Sequence, residues 1–493
     1  MDDYSYKVTL EKHPIYTSVL FDDRVSSSQK KSVMNTLKNV MKAHPDGYRW
    51  MPRFKQHVWD GYISLMEGTS FPTGLLDIAL DALEDSEDVI VEIKDYNTEK
   101  VNISSLNENY LNKVVLRDYQ LEAVRRLISS ERGVAHMATN SGKTVVMAAL
   151  CKLVNSRTLI LTHKKELLYQ TQNVIEKLTD MDVSLIGDGI IDFSGQIVIA
   201  MVQTLGNIVE DLNNKKERFG FKDIDRFTNI FQMLMVDEVH HVSSKSMMDI
   251  VMKVNAPFRF GFSGTPMKYK LLPDMQLAAA TGPVLIRVEN ETLIREGYSA
   301  EPEIIMYSIY NGNSHEEDTY PEARKKLIVE NQNRNKLISD IVLDHLNQNK
   351  VILVLVDQVL HQKLLYKEMC NSHRNHQKYI TYMNGSQSMD SRNSNIELMR
   401  EGDPHIFVAT EILGEGVDIP AIDVLVLAGG GKSHIRTLQR VGRGMRRKED
   451  GENRLTVIDF IDQGNKYTER HSSERMNIYE REKFKVVEQI GIQ

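Results

Sequence analysis

Residues 137–146 read MATNSGKTVV and contain the Ser-Gly-Lys-Thr run of a loop that can cradle phosphate. In such a loop Lys143 reaches the β- and γ-phosphates of ATP, and Thr144 holds Mg2+. Ala138 stands beside the loop entrance where the usual pattern carries its first glycine, and Asn140 stands where a further glycine is frequent. Ala138 is small enough for the loop entrance, and asparagine visits positive φ more readily than most residues. With Thr139, Ser141 and Gly142 these residues form a candidate ATP-binding loop. A second candidate lies in MLMVDEVHH, where Asp237 and Glu238 end an apolar run. A carboxylate at a strand end suits Mg2+, and its neighbour can orient or deprotonate an attacking water. A third is QRVGRGMRR, in which Gln439, Arg440, Arg443 and Arg446 recur three or four apart, the spacing of one helical face. Arginines there can stabilise charge on a transferring phosphoryl group, worth roughly 10³ to 10⁵ in rate. His240 and His241, read as strand neighbours, point opposite ways. With no cysteine beside them they are not taken for a zinc site.

A phosphate loop needs a strand before it and a helix after it. GVAHMA and KTVVMAALCKLV supply both, and the helix N-terminus offers N–H groups and positive dipole potential to an anion. Similar apolar runs follow: TLILT, QIVIAM, MLMVDE and RFGFSG. A second series comprises KVILVLV, KYITYMN, HIFVAT, VLVLAGG and RLTVIDF. These are too apolar for half-exposed strands, so they predict two parallel sheets covered on both faces, an α/β fold. Ahead of them, YSYKVTL and EDVIVEI read as strands, and Val33, Leu37, Val40 and Met41 mark a helix over 28–43. The expected units are 1–110, a small α+β domain; 111–298 and 299–465, the sheet domains; and 466–493, a helical tail. The hinge is placed near 295–303, ahead of the polar segment 310–322. Residues 206–229 read as a charged insertion without a strong pattern.

The chain has 493 residues, 41% hydrophobic and 26% charged, ordinary for globular domains. Its two cysteines, Cys151 and Cys370, make no disulfide or metal framework and fit a reducing cytoplasm. The first twenty residues lack the apolar core of a signal peptide, and no run approaches the ~18 residues of a membrane span. The expectation is a soluble cytoplasmic protein with no membrane partner. A net charge of −7 argues against general affinity for nucleic acid. Residues 432–448 depart from that mean, because they concentrate lysine and arginine and hold no acid.

Seven segments in order resemble the motifs of superfamily 2 helicases: LRDYQ (116–120), ATNSGKT, LILTHKKELLYQTQ, VDEVHH, SGTP (263–266), ATEILGEGVDIP and QRVGRGMR. The resemblance spans about 116–465 and implies two tandem RecA-like domains with ATP between them. It implies Gln120 as the adenine contact and Gly416 and Asp418 as part of the nucleotide set. Arg443 and Arg446 become the γ-phosphate arginines. His240, Ser263, Thr265, Gln439 and Arg440 would couple hydrolysis to movement, and His163, Lys164, Thr204 and Thr410 would touch DNA.

The N-terminal run DGYRWMPRFKQHVWDGYISLM (46–66) carries both tryptophans, Trp50 and Trp59, with Arg49, Arg53 and Lys55 interleaved. Aromatic faces stack on bases and basic residues pair with phosphates, although such aromatics also fill small cores. This run is similar to one in the UvsW-like group of phage helicases. That likeness implies a monomeric, ATP-dependent DNA helicase in the host cytoplasm, unwinding or branch-migrating forks, Holliday junctions and D- or R-loops with 3′–5′ polarity. Phage recombination or accessory proteins would be its partners. Two other readings stay open, an RNA helicase of the DEAD-box kind and a DNA-binding subunit with a silent ATPase. A restriction-type subunit is disfavoured, since no nuclease constellation is seen.

Overall fold

The computed structural model describes residues 6–86, 88–97, 101–214, 224–267, 270–310, 318–384, 387–410, 422–447 and 453–490. They divide into two compact units: Met1–Met137 with Gly142–Val288, and Ala138–Ser141 with Glu289–Gln493. No helix among them is long and apolar enough to cross a membrane.

The first unit opens with β1 (Tyr6–Lys12), β2 (Tyr16–Phe21), β3 (Ser70–Pro72) and β4 (Val89–Asp95), in the order β3-β2-β1-β4. Alternation along β1 sends Val8 and Leu10 inward, onto Leu37 of the helix Ser27–Val40 and Leu83 of the helix Leu76–Glu84. Leu272, Met275 and Ala279, from the helix Leu271–Thr281, belong to the same core. These elements form a small α+β region, whose core runs on into the sheet that follows, within one compact unit. A Cβ on Gly74 would meet the Ala278 carbonyl oxygen at 1.9 Å, so this contact requires glycine.

The larger sheet comprises β5 (Arg132–Met137), β6 (Thr158–Thr162), β7 (Val183–Gly187), β8 (Ile190–Ile191), β9 (Ile197–Met201), β10 (Met233–Asp237), β11 (Phe258–Ser263) and β12 (Val284–Val288). Its order is β8-β7-β9-β6-β10-β11-β5-β12, and every pairing except β8 with β7 is parallel. All five expected apolar runs lie in it. The expected insertion 206–229 is corrected in its first part. Leu205, Ile208, Val209 and Leu212 form the buried stripe of the helix Val202–Asn213, a pattern masked by the polar residues on its other face. Arg259, on β11, is 1% exposed and donates to the carbonyls of Val251, Val254 and Ala280, around the ends of two helices. Burial, then the Arg132 charge, lowers its guanidinium to about 9.

The second unit holds β13 (Glu301–Ile309), β14 (Val351–Leu355), β15 (Ile380–Met383), β16 (His405–Ala409), β17 (Val424–Leu427), β18 (Arg454–Asp462) and β19 (Lys485–Ile490). The order is β15-β16-β14-β17-β18-β13-β19, wholly parallel. The expected helical tail is also corrected. The helix Lys466–Arg481 is followed by β19, which completes the sheet beside β13. Arg475 and Tyr479 from that helix are buried, with Arg475 Nε 2.7 Å from Asp459 Oδ2 and the Tyr479 hydroxyl donating to the same oxygen at 2.7 Å. The segment is core, because removing it would strip the partners from a buried carboxylate.

Candidate functional site

Between β5 and the helix Lys143–Val154 the chain turns through two left-handed residues, Asn140 at φ +69° and Gly142 at φ +80°. Asparagine thus stands at a position that demands positive φ. A Cβ on Gly142 would lie 2.4 Å from Gln120 Nε2. Gln120 is buried, and its Oε1 accepts from the Arg117 backbone N–H at 3.0 Å. The amide expected to read adenine therefore packs against the phosphate loop. Ala138 and Ser141 are buried, while Thr139, Lys143 and Thr144 are half-buried. Lys143 and Thr144 open the helix, where first-turn N–H groups lack helical partners.

The second carboxylate site forms at the end of β10. Glu238 takes φ +48° and donates its N–H to Asp237 Oδ1 at 2.9 Å. A 3-10 turn, Val239–His241, follows and packs on β11, where a Cβ on Gly261 would come within 2.8 Å of Val239. This turn overturns the expectation that His240 and His241 point apart as strand residues. Their ring centroids lie 4.2 Å from each other, and His241 lies 4.4 Å from His163.

Lys143 Nζ reaches Glu238 Oε1 at 2.9 Å. Ser263 donates to Glu238 Oε2 at 3.3 Å and accepts from the Thr265 N–H at 3.1 Å. Ser263 Oγ also lies 2.8 Å from His240 Nδ1. Burial works against ionisation of Glu238, but the Lys143 ammonium and the His240 ring outweigh it and hold the carboxyl well below the usual range. Asp237 moves the other way, raised by burial and then by the Glu238 charge. That imbalance suits a cation. Thr144 and Asp237, an alcohol and a carboxylate, are a hard oxygen donor set fitting Mg2+.

His163 and Lys164 follow β6, and Thr204 lies in the first turn of the helix after β9, a neighbouring strand. All three thus sit just past the carboxyl ends of paired strands, where open α/β sheets bind ligands. The buried Thr162 and Thr265 hydroxyls at the same edge have no partner among the described residues.

In the second unit, Thr410 follows β16, and its buried hydroxyl has no partner among the described residues. Gly416 and Asp418 lie outside the described residues, as do the side chains of Gln439 and Arg443. The expected arginine face needs correction at one end. The helix His434–Gly444 stops before Arg446, whose backbone bridges Ser299 while Ala300 N–H donates to the Met445 carbonyl at 2.8 Å. Met445, just past the helix end, is buried in the core. Arg440 pairs with Asp357, which also receives Arg324 at 2.7 Å. Burial, then the nearby Arg400 charge, lowers the Arg446 guanidinium.

The N-terminal stretch separates its aromatics. His44 stacks between Tyr48 and Tyr62, each centroid 3.8 Å away, and Phe54 meets the edge of Tyr48. Trp59 donates its indole N–H to the Tyr62 carbonyl at 2.7 Å. Trp50 instead is 78% exposed, with the Lys55 ammonium 5.2 Å from its ring. Arg49, Arg53 and Lys55 are all exposed.

Two interactions escaped the sequence reading. His136 Nε2 contacts the Gly264 carbonyl at 2.9 Å, tying the strand before the phosphate loop to SGTP. His241 lies between His240 and His163. The pairing of β6 with β10 was the available signal, because it brings the residues after both strands together.

These two parallel-sheet units, with Lys143 and a paired-carboxylate strand end in the first, define a superfamily 2 helicase core. Residues 113–268 match the family described as "Type III restriction enzyme, res subunit", and residues 333–448 match "Helicase conserved C-terminal domain". The chain is a superfamily 2 helicase. It is similar to the ATP-dependent DNA helicase uvsW of Enterobacteria phage T4, 25% identical over 93% of this chain and 95% of that one. It is also similar to the DNA 3′-5′ translocase XPB2 of Sulfurisphaera tokodaii, 26% identical over 71% of this chain and 82% of the relative. Among solved structures, S. cerevisiae Dbp5 bound to RNA and ADP BeF3 shares the fold with a TM-score of 0.53, at 13% identity over 76% of this chain and 90% of that one.

Proposed function

We propose that this helicase hydrolyses ATP to move on DNA, and that it unwinds or branch-migrates forks, four-way junctions and D- or R-loops. The observation that carries the ATP reading is the meeting of Lys143 with Glu238 beside Ser263 and His240. Loop residues 138–144 would hold the triphosphate on backbone N–H groups. Lys143 would then exchange Glu238 for phosphate oxygen, leaving that carboxylate, still beside Ser263 and His240, to take a hydrogen bond from the attacking water. Thr144 and Asp237 would hold Mg2+, which would supply positive charge to the phosphate oxygens. Arg443 and Arg446 are assigned to the terminal phosphate by their motif.

The DNA reading is supported by the uvsW and XPB2 relatives, whose names describe a DNA helicase and a 3′-5′ DNA translocase. That polarity is carried over with them. His163, Lys164, Thr204 and Thr410 would hold the strand by its backbone, and Trp50, Trp59, Arg49, Arg53 and Lys55 would engage the branch. The protein would act as a monomer in the cytoplasm. In the test, Lys143→Ala should lose ATP turnover by at least about a hundredfold while its DNA affinity stays near that of the parent. Near-normal turnover would remove Lys143 from the site.

A further inference from the structure

The carboxylate that faces Lys143 and the residues assigned to the DNA backbone are joined by a line of imidazoles. His240 Nδ1 lies 2.8 Å from Ser263 Oγ and 3.3 Å from Glu238 Oε2. The His241 ring packs on it at 4.2 Å with a 44° tilt. His241 also meets His163, at 4.4 Å with a 48° tilt. His163 stands at the carboxyl end of β6, immediately before Lys164, which caps the helix Lys165–Thr179. A fifteen-residue helix starting there directs its N-terminal N–H groups to the same place, as a phosphate contact requires. His240 is buried and His241 half-buried, so a displacement of His163 presses on packed rings. Close-packed interiors transmit such displacements.

We infer that His241 is a positioning residue whose ring contacts carry the DNA-bound state of His163 to His240, and so set Glu238 and Ser263 for hydrolysis. The inference rests on the proposed DNA reading of His163 and Lys164. His241 touches neither nucleotide nor DNA in this scheme. It acts by holding two other rings in register, so its effect belongs in DNA-stimulated turnover and not in DNA affinity.

Steady-state ATPase of the full chain, titrated with a forked DNA, tests it through three variants. His241→Ala removes both ring contacts and should lower the DNA-stimulated kcat by roughly tenfold, the scale of substitutions in coupling networks. The half-saturating DNA concentration and the DNA-free rate should stay near those of the parent. His241→Phe restores a ring of similar girth without its nitrogens and should recover most of the stimulation. His241→Asn keeps a polar group without a ring and should behave like alanine. Should the alanine variant fail to fold, the contrast between phenylalanine and asparagine carries the test. Full stimulation in His241→Ala or His241→Asn would overturn the inference while leaving the DNA reading intact. So would a loss confined to DNA affinity, or a folded phenylalanine variant as poor as the alanine one. If the parent chain were not stimulated by DNA, the DNA reading would fall and take this inference with it.

Discussion

At the scale of single residues, the site depends on two left-handed positions occupied by side-chain-bearing residues. Asn140 holds φ +69° in the phosphate loop and Glu238 holds φ +48° after β10. Asparagine reaches this region at small penalty, whereas a β-branched residue does not. Asn140→Gly should therefore retain ATPase activity, and Asn140→Val should lose loop stability by roughly 1–2 kcal/mol, read as a raised KM for ATP. A normal KM in the valine variant would show that the loop does not need this conformation. The departure from glycine at 140 was understandable from sequence because the reason is local backbone chemistry. The role of His241 was not, since it arises from a 3-10 turn where continuous strand had been expected. Gln120 was picked out by its motif, but its packing against Gly142 depends on where the helix Asp118–Ser130 sits.

At the scale of elements, the most buried strands were plain in the sequence, for a physical reason. A strand covered on both faces must be apolar at every position, as in VILVL of β14, and such runs stand out. β13 was not read because EPEIIMYSI alternates in burial and keeps polar residues, and β19 because it follows a helix with little apolar content. Those elements are nevertheless integral to the second unit. Arg475→Met would leave Asp459 buried without its cation, and the expected loss is ~3–5 kcal/mol of stability, measured as a lower denaturant midpoint. An unchanged midpoint would return the C-terminal segment to the status of a tail. His361 supplies a pH test in the same unit. It is buried, with Nε2 3.1 Å from Asn335 Oδ1, and burial, then the Arg334 and Arg324 charges, lowers its imidazole to about 3. The unfolded chain takes up this proton near pH 6.5. Between these values the unfolded state binds more protons, so the neutral histidine's contribution is lost as pH falls through that window. At pH 5 the loss is about 2 kcal/mol. His361→Gln should flatten the stability profile between pH 7 and pH 5; an equally steep profile would assign the acid sensitivity elsewhere.

At the scale of the whole molecule, the N-terminal segment and the first sheet share a core through the helix that follows SGTP. A DNA contact made by the N-terminal surface, as proposed, would thereby be built onto the body that holds Lys143 and Glu238. Charge-neutral substitution of Arg49, Arg53 and Lys55 together should weaken forked-DNA binding and reduce the salt dependence of log affinity by roughly two to three. An unaltered slope would confine these exposed residues to the surface of a small aromatic cluster. Most direct for the central claim is ATP-driven processing of a matched panel: forks, four-way junctions, D-loops and RNA duplexes, with Lys143→Ala alongside. The expected result is Mg2+- and ATP-dependent conversion of the branched DNAs by the parent chain, none by the variant and little on RNA. Conversion that proceeds without ATP hydrolysis, or ATP turnover stimulated by RNA alone, would contradict it.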